Sequence, residues 1–188
     1  MTISITILML LTLGCASSGK KSSSYRLGLS DLDRQVSEKR RTLKIYDQME
    51  TAMILEAIVI DDELAKSYTE SLKKIQGSLS NDLLLQSKPS DQFIEFLIGV
   101  YTSEPDNNDL DKRSSNWRLK LTGQTGVSFY PYSIERVRTS NLKLRDNLPF
   151  RKAFKKFYIV LFKHEGLVER PYSLEANGFL GEGKISWD

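Results

Sequence analysis

Phe93-Ile94-Glu95-Phe96-Leu97-Ile98-Gly99-Val100-Tyr101 decides the fold, because the run is apolar at both odd and even positions and only Glu95 interrupts it. A strand with one face in water alternates, whereas a strand covered on both faces reads as a near-continuous apolar run. Residues 92–102 are therefore expected to form a central strand, and the run is too short to cross a bilayer as a helix. Other parts of the chain must cover it. Residues 154–162 repeat the pattern, with Phe157, Ile159 and Leu161 on one face and Tyr158, Val160 and Phe162 on the other. Trp117, Leu119 and Leu121 alternate with Arg118, Lys120 and Thr122, the mark of a half-buried strand. Residues 127–137 carry Phe129, Tyr130, Tyr132, Ile134 and Val137, broken by Pro131. Residues 172–176 and 184–187 suit a hairpin, with Asn177-Gly178 and Gly181-Glu182-Gly183 as turn formers. The expected core residues are Phe96, Trp117, Ile159 and Leu161.

The first half reads differently. Residues 29–43 suit a short amphipathic helix capped by Ser30, with Leu32, Val36 and Leu43 on one face. Asp31 and Asp33 fall in its first turn and Lys39-Arg40-Arg41 in its last, as the helix dipole favours. Residues 44–60 are rich in apolar and β-branched side chains and favour one long strand, although Met49, Ala52, Met53 and Glu56 would also suit a helix. Asp61-Asp62 opens a clearer helix on which Leu64, Tyr68, Leu72 and Ile75 share a face, and Gly77 stops it. Residues 78–90 connect it to the central strand. Helices confined to the part before residue 90, with strands and turns after it, imply an α+β, mainly β fold. The expected architecture is an antiparallel β-sandwich with one or two accessory N-terminal helices. The succession from Phe93 through Trp117 and Phe157 to Trp187 resembles, in outline, the immunoglobulin-like domains of uncharacterised bacterial lipoproteins. That resemblance implies an immunoglobulin-like sandwich and no particular activity.

Residues 3–13 are almost purely apolar and end at Gly14-Cys15. As a helix the run covers about half of a ~30 Å hydrocarbon core, the length of a signal-peptide hydrophobic region. Leu11-Thr12-Leu13-Gly14-Cys15 resembles the lipobox of bacterial lipoproteins, although Thr12 stands where that family prefers Leu and the leader carries no Lys or Arg. The resemblance implies cleavage between Gly14 and Cys15, a thioether diacylglycerol on Cys15, and membrane lipid as a partner. The expected organisation is a signal peptide over 1–14 and a lipidated Cys with a flexible linker over 15–24. A single globular domain follows over 25–188, with a helical and strand part at 25–90 and a β part at 91–188. Ala16, rather than Asp, follows the Cys, which for such lipoproteins implies the bacterial outer membrane, facing the periplasm. Another leaflet or the cell surface is the alternative.

Twenty-seven Lys and Arg against 24 Asp and Glu leave a net charge of +3, with the two signs interspersed. A nucleic-acid partner needs a concentrated basic face and is not expected. Lys39-Arg40-Arg41 and Arg151-Lys152 with Lys155-Lys156 read as solvated faces. One Cys allows no intramolecular disulfide, so packing alone must hold the domain. His164 is the single His, no Gly-x-Ser-x-Gly occurs, and no phosphate-binding glycine loop is present. No catalytic residue or cofactor is expected. Asp106, Asn108, Asp109 and Asp111 offer the oxygen ligands that Ca2+ takes, but Leu110 holds the fifth position of the loop and no Gly holds the sixth. Asx turns explain the cluster better. Phe129, Tyr130 and Tyr132 with Arg136 and Arg138 offer a flat surface for glycan or peptide, against a reading as core plus exposed charge. The expected role is a lipid-anchored, non-enzymatic binding or structural module with an envelope protein or glycan partner. An envelope-polymer hydrolase and a periplasmic lipid carrier are the alternatives.

Overall fold

A computed structural model describes residues 29–76, 92–137, 150, 156–164 and 170–188. Helix α1 (Leu29–Lys39) leads directly into β1 (Arg40–Asp47), which turns into β2 (Glu50–Ile60). Helix α2 (Asp62–Gln76) follows, then β3 (Phe93–Thr102), β4 (Trp117–Thr122), β5 (Ser128–Phe129) and β6 (Pro131–Arg136). Strands β7 (Lys156–Lys163), β8 (Tyr172–Gly178) and β9 (Gly181–Trp187) complete the described elements. One sheet has the order β1-β2-β3-β7-β6 and the other β5-β4-β8-β9, and every pairing is antiparallel. The chain is thus a mainly β antiparallel sandwich with two accessory helices, as the patterning implied. Its likeness to immunoglobulin domains is one of architecture. There the second and third strands lie in opposite sheets, whereas here β1, β2 and β3 form a meander in one sheet.

The central strand is covered on both sides, which explains its sequence. Phe96, Ile98 and Val100 face the second sheet together with Met53, Leu55, Ala57 and Val59 of β2 and Tyr158, Val160 and Phe162 of β7. Opposite them lie Trp117, Leu119 and Leu121 of β4, Leu174 and Ala176 of β8, and Trp187 of β9. Leu97 points the other way, into a second cluster with Ile58, Ile60 and Phe157, roofed by Leu32 and Val36 of α1 and Leu64 and Tyr68 of α2. Ile159 and Leu161, expected in the core, are only half-buried. Both parities of β7 are apolar, so the pattern by itself does not say which one meets the other sheet. Phe96 and Trp117 are buried as expected. An aromatic group closes one end of the main core. The Phe96 ring lies 5.7 Å from Phe162, 6.2 Å from Tyr172 and 5.2 Å from Trp187.

Two expectations for the N-terminal half are corrected. The helix ends at Lys39, and Leu43 belongs to β1, where it faces the main core. Residues 44–60 are not one long strand but parts of a hairpin, turned at Gln48-Met49, since Asp47 pairs with Glu50. Gln48 adopts φ +55°, a left-handed conformation that usually calls for Gly or Asn. With neither residue present, no turn signal is written there.

Both sides of the sandwich are closed. The chain passes from β5 in one sheet to β6 in the other within a single residue, Tyr130. On the opposite side β9 runs back along β1. A Cβ on Gly183 would lie 2.5 Å from Leu43 Cδ1, and one on Gly181 2.7 Å from Ile45 Cγ2, so only glycine admits these side chains. Arg41 Nε donates to the Ser186 carbonyl at 3.1 Å, and Trp187 Nε1 to the Lys39 carbonyl at 2.7 Å. The latter bond ties the last strand to the junction of α1 and β1. The outer face of the second sheet is wet and charged, with Glu175 between Lys120 at 2.7 Å and Lys184 at 3.8 Å. Arg118 is exposed on that face, as the alternation implied, and donates to the carbonyls of Arg113, Ser115 and Trp117.

The helices are pinned by polar contacts at their shared end. Asp61 Oδ1 accepts from the Leu64 backbone N–H at 3.0 Å, capping α2, and from Lys39 Nζ of α1 at 2.6 Å. Gln35 Nε2 bridges to Glu63 Oε1 at 3.2 Å and Ser67 Oγ at 3.4 Å. Burial alone would raise the Asp61 pKa. The Lys39 and Leu64 hydrogen bonds and the charges of Lys39 and Arg170 outweigh it and hold the carboxyl below its ordinary 3.8. A lowered folded-state pKa contributes stability above the ordinary aspartate range, and that contribution is lost as the pH falls through it.

Three outcomes are expected in urea unfolding of the full chain. Trp117→Ala empties a buried site and should cost about 3–5 kcal/mol. Gln48→Gly relieves a left-handed residue costing about 1–2 kcal/mol, offset by the larger chain entropy of glycine. It should leave stability unchanged or raise it by up to about 1 kcal/mol. Asp61→Asn keeps a capping side chain but loses the charge pair, so it should cost about 0.5–1 kcal/mol at neutral pH. That gap should close as the pH drops below about 4; a gap that persists in acid would refute the role given to the Asp61 charge.

Candidate functional site

Catalytic chemistry would need titratable side chains brought together. His164 sits half-buried just past β7, where its backbone N–H donates to the Gln92 carbonyl at 3.0 Å. Among the described residues no group of three or more His, Cys, Asp or Glu is placed to hold a metal ion. Two carboxylates, Glu56 and Glu95, are buried on the helix-covered face of the first sheet. Glu56 lies opposite Gly99 and Glu95 opposite Ile60, four residues apart along β2. At the rise of a strand that is roughly 13 Å, beyond the roughly 5–9.5 Å of a glycosidase pair. Neither reaches water. Tyr68 is buried beneath α2 with its hydroxyl lacking a hydrogen-bond partner, and burial pushes its phenol pKa up.

The loop between β3 and β4 uses its polar residues on itself. Asn108 is buried, its Nδ2 donates to the Val100 carbonyl at 2.8 Å, and its Oδ1 accepts from the Tyr158 hydroxyl at 2.9 Å. The Asn108 carbonyl accepts from Tyr158 at 3.1 Å and from Lys156 Nζ. The Tyr158 pKa is raised, by burial first and by the charge of Asp111 second. Asp106 and Asp111 are exposed, while Asp109 is buried. The residues considered for Ca2+ are therefore divided between solvent and the core, and Asn108 spends both ends of its amide on holding the loop against β3 and β7. Of the basic clusters, Lys39 pairs with Asp61, Arg41 bonds the Glu38 and Arg40 carbonyls, and Lys156 bonds the loop. Arg151, Lys152 and Lys155 lie outside the described residues.

The aromatic set separates. Phe129 packs against the main core, whereas Tyr130 and Tyr132 are 69% and 66% exposed where the chain changes sheets. The Tyr132 ring lies 5.3 Å from that of Phe93. Arg136 pairs with Tyr158, four residues further along β6 and towards the opposite end of the sandwich, and Arg138 lies outside the described residues. A tyrosine corner at one end is what remains of that surface, together with exposed Val127.

A second exposed group was not legible in the sequence. Met49 is 98%, Phe179 72% and Tyr46 56% exposed, on the β1–β2 and β8–β9 hairpins. In a reading of residues 44–60 as one long strand nothing sets Met49 apart, and Phe179 is a lone aromatic among turn residues. A hairpin at Gln48-Met49 would have exposed the pattern, but that turn lacks its usual residues. Gly14 and Cys15 lie outside the described residues, and no described helix is long and apolar enough to cross a membrane. No protein-family model matches the chain, and neither a curated protein nor a solved structure matches it.

Asn108→Ala strips a donor from the buried Val100 carbonyl and leaves the buried Tyr158 hydroxyl with the Asn108 carbonyl as its acceptor. It should cost about 2–3 kcal/mol in urea unfolding, and calcium chloride should leave the midpoint of the wild-type chain unmoved. A calcium-dependent midpoint that Asn108→Ala abolishes would restore the loop as a cation site.

Proposed function

We propose that the chain is a lipid-anchored bacterial envelope protein whose sandwich serves as a non-enzymatic binding or structural module. One observation carries the module: the six large apolar side chains left exposed among the described residues lie at the two ends of the sandwich rather than on its faces. Tyr46, Met49 and Phe179 mark one end and Val127, Tyr130 and Tyr132 the other. Apolar groups gathered in patches on a folded protein mark interaction sites. The space between the sheets is occupied by Trp117, Trp187, Tyr158, Phe96 and Phe162, which favours a packed core over the cavity a lipid carrier needs. The separation of Glu56 and Glu95 removes the buried carboxylates as a hydrolytic pair.

The anchor rests on the leader, an apolar run closed by Gly14-Cys15. Each buried CH2 of an acyl chain contributes about 0.8 kcal/mol, so two or three chains hold a protein at the membrane durably. Residues 16–24 would reach about 30 Å at full extension, enough to present the domain away from the headgroups. Metabolic labelling with a palmitate analogue should mark the wild-type chain and leave Cys15→Ser unmarked; equal label on both removes the anchor. In a host with two membranes, density-gradient fractionation should recover the chain with the outer membrane, and recovery with the inner one would overturn the sorting.

A further inference from the structure

The turns of the two hairpins lie side by side at one end of the sandwich. Strand β9 runs back along β1, and a Cβ on Gly181 would lie 2.7 Å from Ile45 Cγ2 and 3.5 Å from the Tyr46 carbonyl oxygen. The turn that follows Tyr46 and the turn that precedes Gly181 therefore adjoin at one end of the sandwich. Two-residue hairpin turns usually carry Asn, Asp or Gly, but these carry Gln48-Met49 and Phe179-Leu180. Leu180 packs on the main core, which accounts for it. Met49 and Phe179 do not pack there, and turn geometry does not ask for them. Gln48 even holds a left-handed conformation to keep the β1–β2 turn tight.

Charge selects what fits this surface. Residues 46–50 and 177–182 contain Asp47, Glu50 and Glu182 and no Lys, Arg or His. Along the strands the nearest cations are Lys44 of β1 and Lys184 of β9, the latter beside Glu175. The Arg118 guanidinium of β4 is held by carbonyls of the β3–β4 loop, which reaches Gly178 and carries exposed Glu104, Asp106 and Asp111 against Lys112 and Arg113. An anionic leaflet would be repelled, because such a surface attracts cations. A second copy docking tip to tip would set acid against acid, which specific interfaces avoid. An apolar centre with an acidic rim complements a segment that is apolar and cationic. Resting on the binding-module reading, we propose that the paired tips around Tyr46, Met49 and Phe179 dock a protein segment combining apolar side chains with Lys or Arg.

The test uses the full chain in phosphatidylcholine nanodiscs, with empty discs as the blank. The probes are three fluorescent decapeptides, of alternating Lys and Phe, alternating Glu and Phe, and alternating Lys and Ser. The Lys–Phe peptide should bind at least tenfold more tightly than either control. The double variant Met49→Ser with Phe179→Ser should lose at least tenfold in that affinity. Asp47→Asn with Glu50→Gln should lose severalfold and flatten the salt dependence. Tyr130→Ser, at the far end, should bind as the wild type does, and all variants should keep its urea midpoint. Equal binding of a control peptide, undiminished binding by the Met49 and Phe179 variant, or a dimer that this variant dissolves would overturn the docking site. Label on Cys15 is read separately, so failure of the peptide leaves the anchored module standing, and failure of the label leaves the docking result intact.

Discussion

The structure depends on one constraint, that strand β3 must be dry on both faces. Phe96, Ile98 and Val100 require a second sheet, and Leu97 requires a roof. Burying side chains of this size stabilises by about 1.5–3 kcal/mol each, against a net stability for a domain of about 5–15 kcal/mol. No disulfide is available, so these contacts have no covalent substitute. The second sheet supplies Trp117, Leu119 and Leu121, and the roof is made by two helices through Leu32, Val36, Leu64 and Tyr68. Everything else in the described fold serves to bring these three layers together.

Polar groups set where the layers end. Asp61 caps one helix while holding the other, and Asn108 spends its amide on the β3–β4 loop. Trp187 donates its indole N–H to the carbonyl at the end of α1. Each of these is a side chain satisfying backbone or a partner at a junction. Such groups are costly to bury without partners, and so they fix a loop or helix end more sharply than apolar contact does. The same economy accounts for the aspartates of the β3–β4 loop being divided between solvent and core. Asn108, in their midst, is already committed inward.

With its interior and junctions thus occupied, the binding-module reading proposed above falls on the ends of the molecule. Among the described residues, closure of both sides, by β5 passing into β6 and by β9 lying against β1, leaves hairpin tips and the sheet-changing corner as the exposed apolar places. Loops on a rigid scaffold are where binding groups are usually carried. A flexible tether from Cys15, as proposed, would let such ends reach partners without inserting the domain itself.

The sequence by itself determined the mainly β class, the doubly buried β3, the half-buried β4 and the second helix. Each is written as a period of apolar residues that burial enforces locally. The leader proposed for residues 1–14 rests on length and composition alone. The β1–β2 hairpin was hidden because its turn holds Gln48 in a conformation that sequence normally signals with Gly or Asn. Which face of β7 meets the other sheet was hidden because Ile159 and Leu161 are as apolar as Val160 and Phe162. That the β1–β2 turn and the β8–β9 turn come to lie side by side was decided by tertiary structure alone. Contacts between residues more than a hundred positions apart leave no local period, and only the closure of β9 on β1 creates them.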